Sequence, residues 1–228
     1  MLKVVIFSGA GMSAESGIST FRDAGGLWEN YRIEEVATPN AFRQNPVLVQ
    51  RFYNDRRKQI IETEPNSAHV LIADLESKFS VTVITQNIDD LHERAGSSSV
   101  VHLHGNIRYG KSSGPNPEKK YYRLKGWEIT TEDRCDEGYP LRPHVVWFGE
   151  EVPMLERAAE IIQTADYLIV IGTSLNVYPA AGLIHAAPKH CQKIIIDPHV
   201  DTLNLPSDFY AIKEIASTGL KRWIKENE

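Results

Sequence analysis

The fold is decided by one short stretch, Val101-His102-Leu103-His104-Gly105-Asn106, considered together with Thr85-Gln86-Asn87-Ile88-Asp89. Each follows an apolar run rich in β-branched residues, so each is expected at the carboxyl end of a buried strand. Open α/β sheets build their ligand crevices at that edge. A histidine there can act as a base near neutral pH, and an amide and a carboxylate beside it can hold a polar ring and a ribose.

Three more segments are predicted to be strands: Val4 to Phe7, Tyr167 to Ile171 and Lys193 to Asp197. Helical patterns separate them, and one such helix begins at Pro46 with Asn45 as its cap. Apolar strands that alternate with helices indicate a parallel sheet covered on both faces. We therefore predict an α/β fold with a doubly wound, parallel, Rossmann-like sheet.

Two insertions are predicted to interrupt this sheet within a single catalytic unit that spans residues 1–228. Residues 30–65 are expected to be helical, and residues 107–141 have no sustained period, which indicates a degenerate ribbon. Together they would form a small lobe, and the Rossmann-like core would comprise residues 1–29, 66–106 and 142–228.

Composition excludes several functional classes. The net charge of −5 over 228 residues gives no basic face for nucleic acid. No apolar run is long enough to span a membrane, and the amino terminus lacks the features of a signal peptide. Only Cys135 and Cys191 are present, so a disulfide framework is not expected. We expect a cytoplasmic protein that binds neither nucleic acid nor membrane.

Glycine and hydroxyl residues follow two of the predicted strands. The turn Ser8-Gly9-Ala10-Gly11 after the first strand is typical of dinucleotide binding, although no third glycine follows Gly11 at the standard spacing, and a plain tight turn is the alternative. Gly172-Thr173-Ser174 can approach a ligand or simply cap a helix. Asp197 can accept a ribose hydroxyl or be a solvated strand end.

Six motifs in the chain resemble those of the sirtuin family, in the same order and over nearly the whole length. They are Gly9 to Gly17, Thr20-Phe21-Arg22, Gln86 to Asp89, His104-Gly105, Val145 to Glu150 and Gly172 to Leu175. The resemblance implies NAD-dependent removal of acyl groups from lysine, with free lysine, nicotinamide and O-acyl-ADP-ribose as products. The partners would then be proteins or peptides that carry acylated lysines.

The resemblance also implies roles for individual residues. His104 would be the general base, with Asn87 as the second catalytic residue. NAD would be bound by Gly9, Ala10, Gly11, Ser13, Thr20, Phe21, Arg22, Trp28, Gln86, Asn87, Ile88, Asp89, Gly172, Thr173, Ser174, Asp197 and Ala216. The glycine turn would hold the pyrophosphate through backbone N–H groups. The substrate would be bound by Tyr53, Arg56, Val146, Phe148, Gly149 and Glu150, with Val145 to Glu150 pairing with an extended peptide as an added strand.

The stretch from Phe21 to Arg57 looks most like bacterial sirtuins that remove both acetyl and succinyl groups. In that subgroup a tyrosine and an arginine three residues later bind the acyl carboxylate, and Tyr53 and Arg56 match them. Without the resemblance, the pair would be interpreted as part of an amphipathic helix with a snorkelling arginine.

Two departures from the family accompany these matches. Sirtuins usually carry four zinc-binding cysteines in the ribbon, whereas this window holds only Cys135, so no zinc is expected. Packing of residues such as Tyr109, Tyr121, Tyr122, Leu124 and Trp127 would then have to hold the lobe. Ser19 stands where the family generally has proline.

Two alternatives to a deacylase stay open from the sequence. An NAD glycohydrolase or ADP-ribosyltransferase could use the same scaffold, with water or a protein side chain taking the ribose. A non-catalytic NAD sensor is the other, although the presence of Asn87, Asp89 and His104 argues against it.

Overall fold

A six-stranded parallel sheet forms the centre of the protein. The structure is a computed structural model that describes residues 1–18, 31–203 and 205–227. The strands lie in the order β3-β2-β1-β7-β8-β9. Their bounds are β1 Lys3–Ser8, β2 Ser80–Thr85, β3 Val100–His102, β7 Tyr167–Ile171, β8 Gln192–Ile196 and β9 Phe209–Ile212. The predicted doubly wound parallel sheet is confirmed, and β9 is an edge strand that the sequence pattern did not predict.

Helices cover both faces of this sheet. Helices α5, Ser67–Asp74, and α8, Ala216–Asn227, pack on one face, where the side chains of Val4 and Ile6 point. Helix α7, Leu155–Ile162, and a 3₁₀ helix, Ala180–Ala186, pack on the other face against Val5 and Phe7. Because both faces are covered, every position from Val4 to Phe7 is buried, which explains the continuous apolar run.

A second, three-stranded antiparallel sheet lies beside the first in the order β5-β4-β6. It consists of β4 Gly105–Ser112, β5 Tyr121–Arg123 and β6 Leu141–Val145. The sheet extends past both expected limits of the ribbon because Gly105 pairs with Val145. At Gly105 the φ angle is +84°, and a Cβ atom would lie 2.2 Å from the carbonyl oxygen of His144, so glycine is required there.

Three helices lie between β1 and β2 in the chain: α2 Ile33–Val36, α3 Pro39–Gln44 and α4 Pro46–Glu62. Helix α4 begins where it was predicted, with proline in its first turn and the Asn45 side chain accepting a hydrogen bond from the N–H of Leu48. Its apolar side, with Val49 and Phe52, packs in a cluster that also contains Ile107 of β4 and Trp147. The helix therefore joins the small sheet to the rest of the molecule.

Two one-turn helices complete the architecture at the carboxyl edge of the parallel sheet. Helix α1, Gly11–Ala14, follows β1, and helix α6, Leu91–Arg94, follows β2. Within the described residues, no helix is long and apolar enough to cross a membrane.

Candidate active site

A cavity of about 730 Å³ opens at the carboxyl edge of the parallel sheet and runs toward the small sheet. Every predicted site residue in the described part of the chain lines it. These residues are Gly9, Ala10, Gly11, Ser13, Tyr53, Arg56, Gln86, Asn87, Ile88, Asp89, His104, Val146, Phe148, Gly149, Glu150, Gly172, Thr173, Ser174, Asp197 and Ala216. The predictions for Thr20, Phe21, Arg22 and Trp28 fall outside the described residues.

The glycine turn after β1 packs directly against the turn after β7. A Cβ atom on Gly172 would lie 2.4 Å from the backbone nitrogen of Met12, so this contact needs glycine. The N–H of Gly9 donates to the Ile171 carbonyl at 3.0 Å, and that of Gly11 donates to the Gly172 carbonyl at 2.8 Å. These two N–H groups are therefore engaged within the protein, and binding of a pyrophosphate by the turn and the following helix start stays a prediction that cannot rest on them.

Asn87 lies in a buried hydrogen-bonding network with the first helix turn. Its side-chain amide donates to the Gly9 carbonyl and to the Ser13 hydroxyl, both at 3.0 Å. Ser13 in turn donates to a carboxylate oxygen of Asp89 at 3.0 Å. Burial raises the pKa of Asp89, although the Leu91 N–H and the Ser13 hydroxyl oppose this change. These contacts fix the side chains of Asn87 and Asp89 at the base of the cavity.

The geometry of His104 suits a base. Its Nδ1 atom lies 3.0 Å from the carbonyl oxygen of Gln86, and because a carbonyl can only accept, Nδ1 carries the proton. In the neutral ring Nε2 then has the lone pair. Burial lowers the pKa of His104, with partial opposition from the Gln86 carbonyl. The imidazole is therefore neutral at pH 7 and can take up a proton through Nε2.

The opposite end of the cavity is defined by the start of α8 and the end of β8. Asp197 accepts a hydrogen bond from the N–H of His199 at 2.7 Å. Glu15, which the sequence did not single out, accepts from both the N–H and the hydroxyl of Ser217, at 3.0 and 2.5 Å. Glu15 thereby joins α1 to the beginning of α8 next to Ala216. It belongs to the Gly9 to Gly17 motif, which was the available signal.

Tyr53 and Arg56 lie on the side of α4 that faces the cavity, and both are buried. The hydroxyl of Tyr53 accepts a hydrogen bond from the indole nitrogen of Trp147 at 3.0 Å, which leaves its own proton for donation. Burial lowers the pKa of Arg56, while Asp89 and Tyr53 act in the opposite direction. The structure thus places a guanidinium and a phenol together in the wall of the cavity.

The segment from Val146 to Glu150 offers a peptide fewer donors than expected. The N–H groups of Val146 and Phe148 donate to the carbonyls of His104 and Ala37, at 2.9 and 3.0 Å. The N–H of Trp147 donates to Glu150 Oε2 at 2.8 Å, and that of Glu150 to the Trp147 carbonyl at 3.0 Å. Pairing with an added strand would thus rest mainly on carbonyl oxygens.

Glu150 is held by the protein itself. Its Oε1 lies 2.5 Å from the guanidinium of Arg142, and that guanidinium stacks over the Trp147 ring at 3.9 Å. Both carboxylate oxygens of Glu150 therefore accept hydrogen bonds, one from Arg142 and one from the Trp147 N–H. These bonds and the stacked guanidinium position Trp147. Trp147 and Arg142 were missed as separate residues because their role depends on contacts between distant parts of the chain.

The comparisons with known proteins agree with this geometry. The sequence pattern that defines the Sir2 family matches residues 9–179. The chain belongs to the Sir2 family. A relative called NAD-dependent protein deacylase from Bacteroides thetaiotaomicron is 49% identical over 225 residues, which cover 97% of this chain and 96% of the relative. A protein of the same name from Helicobacter pylori strain J99 is 49% identical over 218 residues, covering 95% and 91%.

Solved Sir2 structures share the fold and bind NAD or its products. An ADP-ribose complex of a Sir2 homologue mutant has a TM-score of 0.88 at 39% identity, covering 98% of this sirtuin and 90% of that chain. A Sir2 homologue in complex with NAD has a TM-score of 0.87 at 39% identity, covering 98% and 88%. This sirtuin is accordingly an NAD-dependent enzyme.

The small sheet does not fit a structural zinc ion. Cys135 is the single cysteine in the ribbon, and its sulfur accepts a hydrogen bond from the Ser112 hydroxyl at 3.3 Å. Across residues 1–18, 31–203 and 205–227, no group of three or more His, Cys, Asp or Glu residues is arranged to hold a metal ion. A tetrahedral site needs four ligands, which these residues do not supply.

Proposed function

We propose that this sirtuin uses NAD to remove both acetyl and succinyl groups from lysine side chains of proteins, releasing free lysine, nicotinamide and O-acyl-ADP-ribose. Membership of the Sir2 family makes the chain an NAD-dependent protein deacylase. The observation that carries the acyl preference is that Arg56 and Tyr53 line the same cavity as His104 and Asn87.

The chain contributes a base and a group of polar side chains to this reaction. NAD, when bound, supplies a ribose carbon that becomes electrophilic as its bond to nicotinamide breaks. His104 is neutral with a free Nε2 lone pair, so it can take a proton from a ribose hydroxyl. Asn87 and Asp89 are fixed by Ser13 and can orient the nicotinamide amide. Gln86, whose amide donates to Thr173 at 3.0 Å, lies where it can contact the ribose.

The acyl group would extend from this centre toward α4. A succinyl group ends in a carboxylate, which a buried guanidinium and a phenol can bind through charge-assisted hydrogen bonds. An acetyl group ends in a methyl and gains nothing from the charge. The depth at which Arg56 is buried supports this role, because Coulomb interactions are stronger where water is excluded.

The partners that fit this site are proteins that display acylated lysines on exposed segments. A Sir2 protein of 29% identity and a TM-score of 0.77, with which this chain aligns over its whole length and over 94% of that chain, was solved with a deacetylated p53 peptide. The net charge of −5 supports a role away from nucleic acids and anionic membranes. We propose a cytoplasmic location because Cys135 and Cys191 are both free, which fits a reducing compartment.

The proposal is tested by a panel of matched peptides that carry acetyl-lysine, succinyl-lysine or unmodified lysine, each incubated with NAD. We expect nicotinamide release that depends on an acyl-peptide and that yields equal amounts of O-acyl-ADP-ribose. NAD cleavage without any acyl-peptide would indicate a glycohydrolase, and labelling of protein with ADP-ribose would indicate a transferase. Turnover of acetyl but not succinyl peptides would leave a deacetylase and remove the role of Arg56.

A further inference from the structure

A second cavity, of about 410 Å³, is lined by α6, by His102 at the end of β3 and by the three strands of the small sheet. Its lining includes Glu93, Asn106, Arg123 and His144. His102 is the last residue of β3, and the proposed mechanism does not use it. The His102 side chain lines this cavity and also contacts the backbone of Asn87, which lines the first cavity.

Both ring nitrogens of His102 face hydrogen-bond acceptors. Nδ1 lies 3.0 Å from the carbonyl oxygen of Asn87, and Nε2 lies 2.8 Å from Oε1 of Glu93. The side-chain nitrogen of Asn106, which lies 3.2 Å from Nε2, donates to the same Glu93 oxygen at 3.4 Å. Neither acceptor has a proton to give when Glu93 is ionised, so both nitrogens must donate, and the ring is an imidazolium. Burial by itself lowers the pKa of His102, but the bond to Glu93, the charge of Glu93, the Asn87 carbonyl and the charge of Asp89 together raise the pKa above its usual value.

The backbone of Asn87 is thereby held on both sides of its Cα atom. Its N–H donates to the Thr85 hydroxyl at 3.0 Å, and its carbonyl accepts from His102. The Thr85 hydroxyl accepts from Ser8, whose own oxygen lies 3.0 Å from Nε2 of His92. Helix α6 supplies both His92 and Glu93, so one short helix supports the backbone N–H and the backbone carbonyl of Asn87.

We propose that His102, kept charged by Glu93, is a positioning residue that fixes Asn87 for cleavage of the nicotinamide–ribose bond. The inference rests on the proposed function, in which the Asn87 side chain orients the nicotinamide. When His102 loses a proton, only one N–H remains for two acceptors. The carboxylate is the stronger acceptor, so the bond to the Asn87 carbonyl is the one that is lost.

Other charged groups surround His102, and they belong to α6, to the loop before it and to the small sheet. The acidic neighbours are Asp89, Asp90 and Glu93, and the basic ones are Arg94, Arg123, His144 and His92, whose pKa is held well below its usual value by burial. Of these, Glu93 makes the direct contact, and Asp89 also raises the pKa of His102. His144 does not add a competing charge near pH 7, because burial lowers its pKa to about 4.

The experiment compares two substitutions of His102 in the full-length protein, with acetyl-peptide and NAD. His102→Leu removes both ring donors, whereas the side-chain amide of His102→Asn places one donor near the former Nδ1. We expect His102→Leu to lower kcat about 10- to 100-fold, the range expected for a hydrogen bond from a charged donor, with little change in KM for NAD. His102→Asn should recover most of this loss, and His190→Leu, at an exposed histidine, is the matched control.

A pH profile separates positioning from mere support of the fold. Wild-type kcat should fall as pH rises through the raised pKa of His102, because the bond to Asn87 is present only in the charged ring. An amide does not titrate, so His102→Asn should lack this alkaline decrease. Equal kcat losses in His102→Leu and His102→Asn, or the same alkaline decrease in His102→Asn as in the wild type, would overturn the proposal.

The ring itself gives a readout without any substitution. In the wild-type protein labelled with ¹⁵N-histidine, we expect the spectra to show both His102 nitrogens protonated at pH 7. A ring with a proton on Nε2 alone would refute the assignment even if the His102→Leu variant fails to fold. Failure of the wild type to act on any acyl-peptide would instead count against the proposed function, and the ¹⁵N spectra would still decide the protonation of His102.

Discussion

One hydrogen bond decides which nitrogen of His104 can act as a base. The carbonyl of Gln86 requires the proton on Nδ1, so the lone pair is on Nε2 in the neutral ring. Burial lowers the pKa, which keeps this neutral form populated below the usual titration range of histidine. The form that can accept a proton is therefore present at neutral pH and is lost as the pH falls through the lowered pKa.

We expect His104→Ala to reduce deacylation by a factor on the order of 10² or more, which is typical for removal of a general base. NAD should still bind, because the contacts among Asn87, Ser13 and Asp89 do not involve His104. Single-turnover rates together with calorimetric titration of NAD would measure the two effects. Near-normal turnover by a folded His104→Ala variant would exclude His104 from the chemistry.

Arg56→Met keeps the length and apolar stem of the side chain and removes its charge. If the guanidinium binds the succinyl carboxylate, kcat/KM for succinyl-peptide should fall. The loss should correspond to an increase of about 2–3 kcal/mol in the activation free energy, the scale of a hydrogen bond to a charged group. The acetyl rate should fall much less, because His104 and Asn87 are untouched. Arg51→Met on the exposed side of the same helix is the matched control. Equal losses on both acyl groups would show that Arg56 supports the helix or the NAD site instead.

Among individual residues, the sequence predicted those that belong to recognisable motifs. His104 and Asn87 were found because they follow strands, and the edge of a parallel sheet brings such positions together. Glu15, Arg142 and Trp147 were missed as site residues because their contacts join distant parts of the chain. The engagement of the Gly9 and Gly11 N–H groups was missed for the same reason, since their acceptors are the last residue of β7 and the residue after it.

Two sides of helix α4 contact two different parts of the protein. Tyr53 and Arg56 face the NAD cavity, whereas Gln50, Asn54 and Arg57 face the ribbon and are buried. The Gln50 amide donates to the Leu141 carbonyl at 2.7 Å. Arg57 donates to the carbonyls of Ile107 and Trp127, both at 2.6 Å.

Asn54 completes this set of contacts by binding both backbone groups of Ile129. Its side-chain amide donates to the Ile129 carbonyl at 3.0 Å, and its oxygen accepts from the Ile129 N–H at 2.9 Å. The residues between β5 and β6 are thereby fixed to α4 by hydrogen bonds from its side chains. The sequence predicted the helix and the ribbon separately, but it could not predict this contact, because Asn54 has no apolar period to mark it.

We expect Asn54→Ala to destabilise the protein by about 3 kcal/mol, because it leaves buried backbone groups of Ile129 without partners. Arg57 would also lose the oxygen to which it donates at 2.7 Å. Urea unfolding followed by circular dichroism would measure the change, with Asp55→Ala at the exposed neighbouring position as control. A free energy of unfolding within experimental error of the wild type would show that these hydrogen bonds do not hold the ribbon.

For the whole molecule, the strands of the parallel sheet were predicted from the sequence more accurately than the elements of the small lobe. Strands buried on both faces leave continuous apolar runs, and β1 and β7 were predicted almost to the residue. Strand β9 was missed because it is short and lies at the edge, with Tyr210 and Ala211 exposed. The ribbon has its own small cluster of Ile129, Cys135 and Leu141, and tertiary contacts define its limits.

The absence of zinc ligands in the small sheet leads to a test on the intact protein. We expect elemental analysis of the purified protein to find no stoichiometric zinc, and chelators to leave its melting temperature unchanged. The physical reason is that hydrogen bonds from α4 and the Ile129 cluster hold the sheet. Stoichiometric zinc that is lost together with folding would show that ligands outside the described residues had been overlooked.

Acid stability is a property of the whole fold that a buried histidine controls. His69 of α5 is fully buried, its Nδ1 accepts from the N–H of Asn66 at 3.3 Å, and its ring lies against that of His92. Burial lowers the pKa of His69 to about 4. The unfolded chain takes up a proton below about 6.5, whereas the folded protein does so only near 4. Unfolding therefore binds a proton in this window, and stability must fall as the pH decreases from 6.5 toward 4.

His69→Asn removes the titrating ring and keeps an oxygen that can accept from the Asn66 N–H. In the wild type, we expect His69 to account for about 3 kcal/mol of lost stability between pH 7 and pH 4, since each unit of pKa shift corresponds to about 1.4 kcal/mol. The variant should be less stable at pH 7 because of its smaller side chain, but its stability should decrease less as the solution is acidified. Urea unfolding at several pH values would give both slopes, with His190→Asn at an exposed histidine as control. Identical slopes for His69→Asn and the wild type would mean that other buried groups, such as His92, determine the acid sensitivity of the fold.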